Sequence, residues 1–363
     1  MQLTKAHLNI TMDGQFGSTG KGLLNSYIVE KFENKPDICV SNAAPNAGHT
    51  YVDEHGLKKT VFHLPVSGVL LKDSRIHLCA GSIIDPELLA KEMSDFQVDP
   101  SRVTIHPRAC ILLPEHKERE ALDTSGATNI ASTRKGVGAA LGDKVARIAG
   151  ARTASQFYGD GGMVGDIDLM DEMAKRQTIL MEVPQGFSLS LNHGRSYPHC
   201  TSRDLTVAQA LNDAGVHPKY LGSTIVSLRT YPIRVGNIVD ANGLEIGNSG
   251  PFYPDSDEKS WEDLGQTPEL TTVTKRIRRI ATFSYVEYRK MLQMLRPDVV
   301  FLNFCNYLQT KEDLKEILVR MALVEERVGI KPKYLFGVGP AASDVHEINN
   351  SQELWDKIVA SKG

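Results

Sequence analysis

The sequence predicts an α/β fold with a large, mostly parallel central sheet flanked by helices. Two observations predict it. Short apolar runs alternate with amphipathic stretches along the whole chain, the pattern of strand–helix units whose strands are buried on both faces. At one such junction stands Gly17-Ser18-Thr19-Gly20-Lys21-Gly22, a glycine-rich turn that can aim backbone N–H groups and a lysine at phosphate. In folds of this class ligands gather at the carboxyl ends of the strands.

The first strand is read from His7 to Met12, directly before that turn. Leu23, Leu24, Tyr27, Ile28 and Phe32 then recur on one helical face, so a helix begins where the turn ends. The turn is not a Walker A motif: no glycine precedes Gly20 at the required distance, and no Ser or Thr follows Lys21. Taken alone it is either a phosphate cradle or a plain glycine turn. Ile76-His77-Leu78 reads as the next strand, and Asp85-Pro86 as a helix start, with Asp capping and Pro in the first turn. Further strands are expected at Ile179 to Val183, Thr224 to Leu228, Val299 to Leu302 and Tyr334 to Phe336. Further helices are expected over Tyr285 to Leu295, Lys311 to Val328 and Gln352 to Ala360. Gly243 to Gln266, rich in Gly, Asp, Pro and Ser, reads as a long loop or mobile excursion. No repeat, low-complexity linker or sharp boundary is visible, so residues 1–363 are read as a single domain.

Composition narrows the function classes. The 363 residues are 41% hydrophobic and 23% charged, ordinary for a soluble globular chain. A net charge of −3 argues against a nucleic-acid or polybasic membrane binder. No apolar run is long enough to span a bilayer, and the N-terminus lacks a signal-peptide core. Cys39, Cys79, Cys110, Cys200 and Cys305 are scattered, odd in number and free of CxxC spacing. That excludes a disulfide framework or zinc site as the working reading, and a reducing cytoplasm fits best.

Four more clusters could carry chemistry. Asn46-Ala47-Gly48-His49-Thr50 holds a histidine that is either structural or functional. Ser132-Thr133-Arg134-Lys135-Gly136-Val137-Gly138, with Asp143 to Arg147 after it, mixes hydroxyls, cations and glycines, as a phosphate site or a solvated loop would. Glu182-Val183-Pro184-Gln185-Gly186-Phe187 ends a strand and leads to Thr201-Ser202. Thr271 to Arg279 is a dense cationic patch, either a solvated face or a fork for carboxylates.

In this order and wording, the clusters resemble the adenylosuccinate synthetase family from near residue 8 to about residue 345. The resemblance implies a ligase, working as a homodimer, that joins aspartate to a six-oxopurine nucleotide at the expense of a nucleoside triphosphate. Two departures are informative. The family's loop reads Gly-Asp-Glu-Gly-Lys-Gly, and here Ser18 and Thr19 stand in the Asp and Glu positions. That Asp takes the purine N1 proton and helps hold Mg²⁺; its loss makes room for the amine that guanine carries on C2. The loop wording is similar to that of the family's phage branch, which acts on dGMP toward 2-aminoadenine. The family's Thr-Lys-Leu-Asp, whose Asp reads guanine, is here Asn303-Phe304-Cys305-Asn306. An amide removes that charge-assisted contact, so ATP or dATP is the expected donor.

The resemblance also implies roles. His49, Lys21 and Ser18 are expected at the reacting atoms, His49 as acid and Ser18 shaping the pocket. Gly17, Ser18, Thr19, Gly20, Lys21, Gly22, Gly48, His49, Thr50, Asn303, Asn306, Gly339 and Pro340 are expected around the triphosphate. Ser18, Asn46, Ser132, Thr133, Gln185 and Thr201 would hold the nucleotide monophosphate, with Arg147 reaching its phosphate from the other subunit. Val273, Thr274, Arg276 and Arg278 would hold the aspartate carboxylates, and Ser18 and the Gly48 carbonyl would contribute to Mg²⁺. Asp13 either replaces the missing base or caps the turn, and capping is the expectation. The competing readings are an ordinary synthetase acting on IMP with GTP, and an inactive nucleotide-binding homologue.

Overall fold

The computed structural model describes residues 1–123, 130–150, 152–242, 244–271 and 275–362. Its centre is a nine-stranded sheet with Leu8–Asp13 in the middle. To one side follow Ile179–Glu182, Ile38–Ser41, Arg75–Leu78 and Val103–Ile105; to the other follow Leu221–Arg229, Val299–Asn303, Lys333–Gly337 and Val345–His346. Every neighbouring pair is parallel except the last, which is antiparallel. All six residues of Leu8–Asp13 are buried, including polar Asn9. Its amide is satisfied by donating to Thr4 O (3.0 Å) and Ile179 O (3.1 Å) and accepting from Ser223 N (3.0 Å), which stitches three segments together.

Alternation along the strands divides the core between two faces. Leu180, Ile225, Phe301 and Leu335 pack with Leu23, Leu24 and Ile28 of the helix Lys21–Lys31. Met181, Val226, Val300 and Leu302 pack on the opposite side with Met291, Leu314, Met321 and Leu354, from the three helices Tyr285–Leu295, Lys311–Val328 and Ser351–Ala360.

Most expected elements are present within a residue or two of their expected ends. The helix at Asp85-Pro86 runs Pro86–Asp95, with the Asp85 carboxylate accepting from Leu88 N at 3.4 Å. Three differences stand out. Ile38–Ser41, a buried central strand, is only four residues long and was not anticipated. The helix Lys21–Lys31 is buried on more than one face, because Val66–Leu70 and the hairpin His49–Val52/Lys58–Val61 cover it, so Asn25 and Ser26 are enclosed as well. The stretch read as a long loop or mobile excursion is mostly loop in its described part, and anchored: Phe252, Tyr253, Trp261 and Leu264 are buried, and Tyr253 stacks on Phe16 with ring centroids 4.4 Å apart. Its aromatic residues outweigh the turn-forming ones around them. The five cysteines are unpaired, four of them buried.

Candidate active site

The turn after Leu8–Asp13 is built around one carboxylate. Asp13 Oδ1 accepts from the backbone N–H of Gln15 (2.8 Å) and Gly17 (3.3 Å), and Oδ2 from Thr19 N (3.3 Å) and the Thr19 hydroxyl (2.6 Å). Gly17, Ser18 and Gly20 all have positive φ (96°, 57° and 94°), which curls the backbone into a concave nest. Gly20 has no alternative: a Cβ there would also lie 2.1 Å from Asn303 Nδ2. Lys21 begins the helix with its ammonium 2.6 Å from Gln185 O and 3.5 Å from Asp13 Oδ2. Burial pushes its pKa below the usual lysine value, against the pull of Asp13. Asp13 is thus occupied as the cap of this turn.

Beside the turn lies a cavity of about 760 Å³. Its lining brings together Ser18, Thr19, Gly20, Lys21, Gly22, Gly48, His49, Thr50, Asn303, Asn306, Gly339 and Pro340, from distant parts of the chain. Gly17 stays just outside it, against Gln185. His49 Nδ1 faces Glu182 Oε2 at 3.6 Å, while Nε2 is buried with no partner among the described residues. Glu182 is itself fixed at the end of its strand by Val66 N (3.0 Å), Ser67 N (2.8 Å) and the Ser67 hydroxyl (2.7 Å). The ring is held from one edge and its other nitrogen is left available.

The far wall holds residues that the sequence did not single out. Arg229, fully buried, donates to both oxygens of Glu269 (2.5 and 3.2 Å) and to Ser18 O (3.1 Å). Its guanidinium carbon lies 3.6 Å from the centre of the Phe304 ring, a cation–π contact. Tyr307 donates to Glu269 Oε1 (2.8 Å), and Asn303 Nδ2 donates to Thr19 O (3.1 Å). Arg278 lines the same cavity, its pKa lowered to about 10 by burial, with Glu269 opposing the shift. Arg229 could have been suspected as a charge at a strand's carboxyl end; Glu269 and Tyr307 carried no signal.

A second cavity of about 480 Å³ gathers Asn46, Ser132, Thr133 and Thr201. Asn46 Oδ1 and Gln185 Oε1 are buried with no partner among the described residues, so each has an acceptor left for a ligand. Arg276 donates to Gly236 O (2.9 Å) and Ala131 O (3.2 Å), joining the basic segment to the Ser132 loop. Arg147 ends the helix Val137–Ala146 on the exposed surface and lines neither cavity. Val273 and Thr274 lie outside the described residues. Among the described residues no group of three His, Cys, Asp or Glu could hold a metal ion, and no helix is long and apolar enough to cross a membrane.

Known proteins resemble this chain over most of its length. The adenylosuccinate synthetase family profile matches residues 10–161 and 161–328. N6-succino-2-amino-2'-deoxyadenylate synthase of Vibrio phage phiVC8 is 39% identical over 354 residues, covering 93% of this chain and 97% of that one. Adenylosuccinate synthetase of Methanococcus aeolicus is 32% identical, covering 91% and 96%. Among solved structures, the cyanophage S-2L succinoaminodeoxyadenylate synthetase, bound to dGMP and to dATP as energy donor, superposes with a TM-score of 0.85 at 34% identity, covering 98% of this chain and 99% of that one. The chain belongs to the adenylosuccinate synthetase family.

Proposed function

We propose that this chain joins L-aspartate to C6 of dGMP with ATP or dATP, forming N6-succino-2-amino-2'-deoxyadenylate, the corresponding nucleoside diphosphate and phosphate. The observation that carries this reading is Ser18. It is exposed in the nest beside the larger cavity, where the family's common loop has a carboxylate. Asp13, the carboxylate close by, is buried and taken up by four hydrogen bonds, so it does not restore the missing group. A pocket without that charge accommodates the C2 amine of guanine. Relatives sharing over a third of the residues carry the corresponding name.

The chemistry runs in two steps. The six-oxygen of dGMP attacks the γ-phosphorus as N1 gives up its proton to solvent, the nucleoside diphosphate leaves, and a 6-phosphoryl purine forms. The aspartate amine then bonds to C6, losing one proton to solvent, and phosphate departs. Catalysis of the first step is positioning and charge stabilisation. Lys21 and the N–H groups of the nest cradle phosphate. With Nδ1 facing Glu182, His49 presents Nε2 to the transferring phosphoryl oxygens. Thr50, Asn303, Asn306, Gly339 and Pro340 surround the donor, with the Asn306 amide replacing guanine recognition. Asn46, Ser132, Thr133, Gln185 and Thr201 hold the monophosphate, with Arg147 of a second subunit in a homodimer at its phosphate. Arg276 and Arg278, with Val273 and Thr274, hold the aspartate carboxylates.

Mg²⁺ fits the donor set only as an ion carried on substrate phosphates: the Ser18 hydroxyl and Gly48 carbonyl are hard oxygen ligands, with no acidic cluster beside them among the described residues. When bound, the ion neutralises charge on the phosphates. The expected setting is the host cytoplasm.

The test is a mass-resolved product assay with aspartate and Mg²⁺, crossing dGMP, GMP and IMP with ATP, dATP and GTP. A succino-adduct with dGMP and an adenine triphosphate, and little with IMP, supports the reading. Turnover confined to IMP and GTP overturns it in favour of ordinary purine synthesis, and no product with any pair marks an inactive homologue.

A further inference from the structure

Glu269 stands just before the basic segment and has no part in the chemistry above. Its carboxylate lines the larger cavity but is held by Arg229 through both oxygens and by the Tyr307 hydroxyl. Contacts run from it in two directions. On one side, Arg229 supports the Phe304 ring from below and grips the Ser18 carbonyl. On the other, the Glu269 carbonyl accepts from Arg278 N at 2.8 Å, and its carboxylate faces the Arg278 guanidinium across the same cavity. A guanidinium fixed by a two-point carboxylate contact has little freedom to slide. Phe304 therefore cannot move without disturbing the residue that also orders the start of the basic segment.

We propose that Glu269 is a positioning residue that couples the seating of the triphosphate's base on Phe304 to the placement of Arg278 for aspartate. The proposal rests on the reading that the larger cavity takes the donor beside aspartate. It deepens that reading, because it makes donor and aspartate affinity depend on each other through a residue that touches neither reacting atom. The sign is positive: a base on Phe304 holds Arg229 and Glu269 in place, and Glu269 then presents Arg278.

The experiment is Glu269→Gln in the full chain, with ATP affinity measured by calorimetry with and without L-aspartate, and KM values for aspartate and dGMP measured by turnover. Aspartate should tighten ATP binding in the unaltered chain, and Glu269→Gln should remove most of that effect. The variant should raise the aspartate KM about tenfold, a common size for site-to-site coupling, and leave the dGMP KM within about twofold. Tyr307→Phe, which removes one hydrogen bond to the same carboxylate, should shift the same quantities less and keeps the test alive if Glu269→Gln does not fold. An equal rise in all KM values, or an aspartate KM unmoved while ATP binding weakens, overturns the proposal. So does the absence of any mutual effect of ATP and aspartate in the unaltered chain. If that effect is present but dGMP gives no product, the substrate assignment fails and the coupling stands.

Discussion

Gly22 and Thr50 meet backbone to backbone: a Cβ on Gly22 would stand 2.1 Å from the Thr50 carbonyl oxygen and 2.8 Å from its nitrogen. The first turn of the helix Lys21–Lys31 therefore lies flush against the strand that begins with His49. This contact brings Lys21 and His49 to one cavity. Gly22→Ala must push the helix and hairpin apart. Overpacking of this kind costs about 1–3 kcal/mol, and a displacement of about 1 Å near reacting groups costs on the order of 10²-fold in rate. Turnover and a thermal melt of the variant check both; unchanged kcat would show that the approach is not needed.

His49 is oriented by Glu182, and the two should differ in kind when removed. His49→Ala is expected to lower kcat by about 10² to 10⁴, the range for a lost general acid, with no large change in melting temperature. Glu182→Gln leaves the imidazole in place but cannot accept all three hydrogen bonds from Val66 and Ser67. It should cost roughly 1–3 kcal/mol of stability for an unsatisfied buried donor, together with part of the rate. Urea denaturation paired with single-turnover kinetics separates the two effects.

Ser18 and Asn306 line the same cavity, and on the proposed reading they govern different choices. Ser18→Asp should lose dGMP turnover while any IMP turnover rises. Full dGMP activity in that variant would contradict the account of the C2 amine. Asn306→Asp should move donor choice toward GTP, since a carboxylate can accept from both guanine N–H groups; one such charged pair is worth roughly 1.5–3 kcal/mol. Competition between ATP and GTP in the variant measures the shift.

Acid sensitivity should come partly from a residue remote from chemistry. His77 is buried in Arg75–Leu78 with Nδ1 unpartnered among the described residues, and burial lowers its pKa from 6.5 to about 4, with His106 adding to the shift. Between these values the unfolded chain binds a proton there that the folded chain refuses. Stability therefore falls as pH drops from 6.5 to about 4, by roughly 3 kcal/mol in all. His77→Leu should flatten that part of the pH profile, read as denaturation midpoints at several pH values.

The sheet was largely legible because its strands are short apolar runs between turn residues, and the long helices because their caps and apolar faces are plain. Ile38–Ser41 escaped because four residues give no period to detect. The lining of the larger cavity was legible as clusters, since each lies where a strand ends and the chain turns. The Arg229–Glu269–Tyr307 wall was not, because it depends on side chains some 40 residues apart meeting across the cavity. The stretch from Gly243 was legible as a loop but not as an anchored one, because composition reports turns, whereas a few aromatics decide whether a loop is anchored.

That anchoring has a consequence for how the molecule would fail. Tyr253 and Phe252 bracket Phe16, whose next neighbour in sequence is the first glycine of the nest. A protease that nicked the chain between Phe252 and Trp261 would release the bracket while leaving the central sheet whole. Such a clipped molecule would keep its secondary structure and much of its melting transition, yet its glycine-rich turn would have lost its backstop. A turn loosened while the sheet stays folded would be the signature of such a nick.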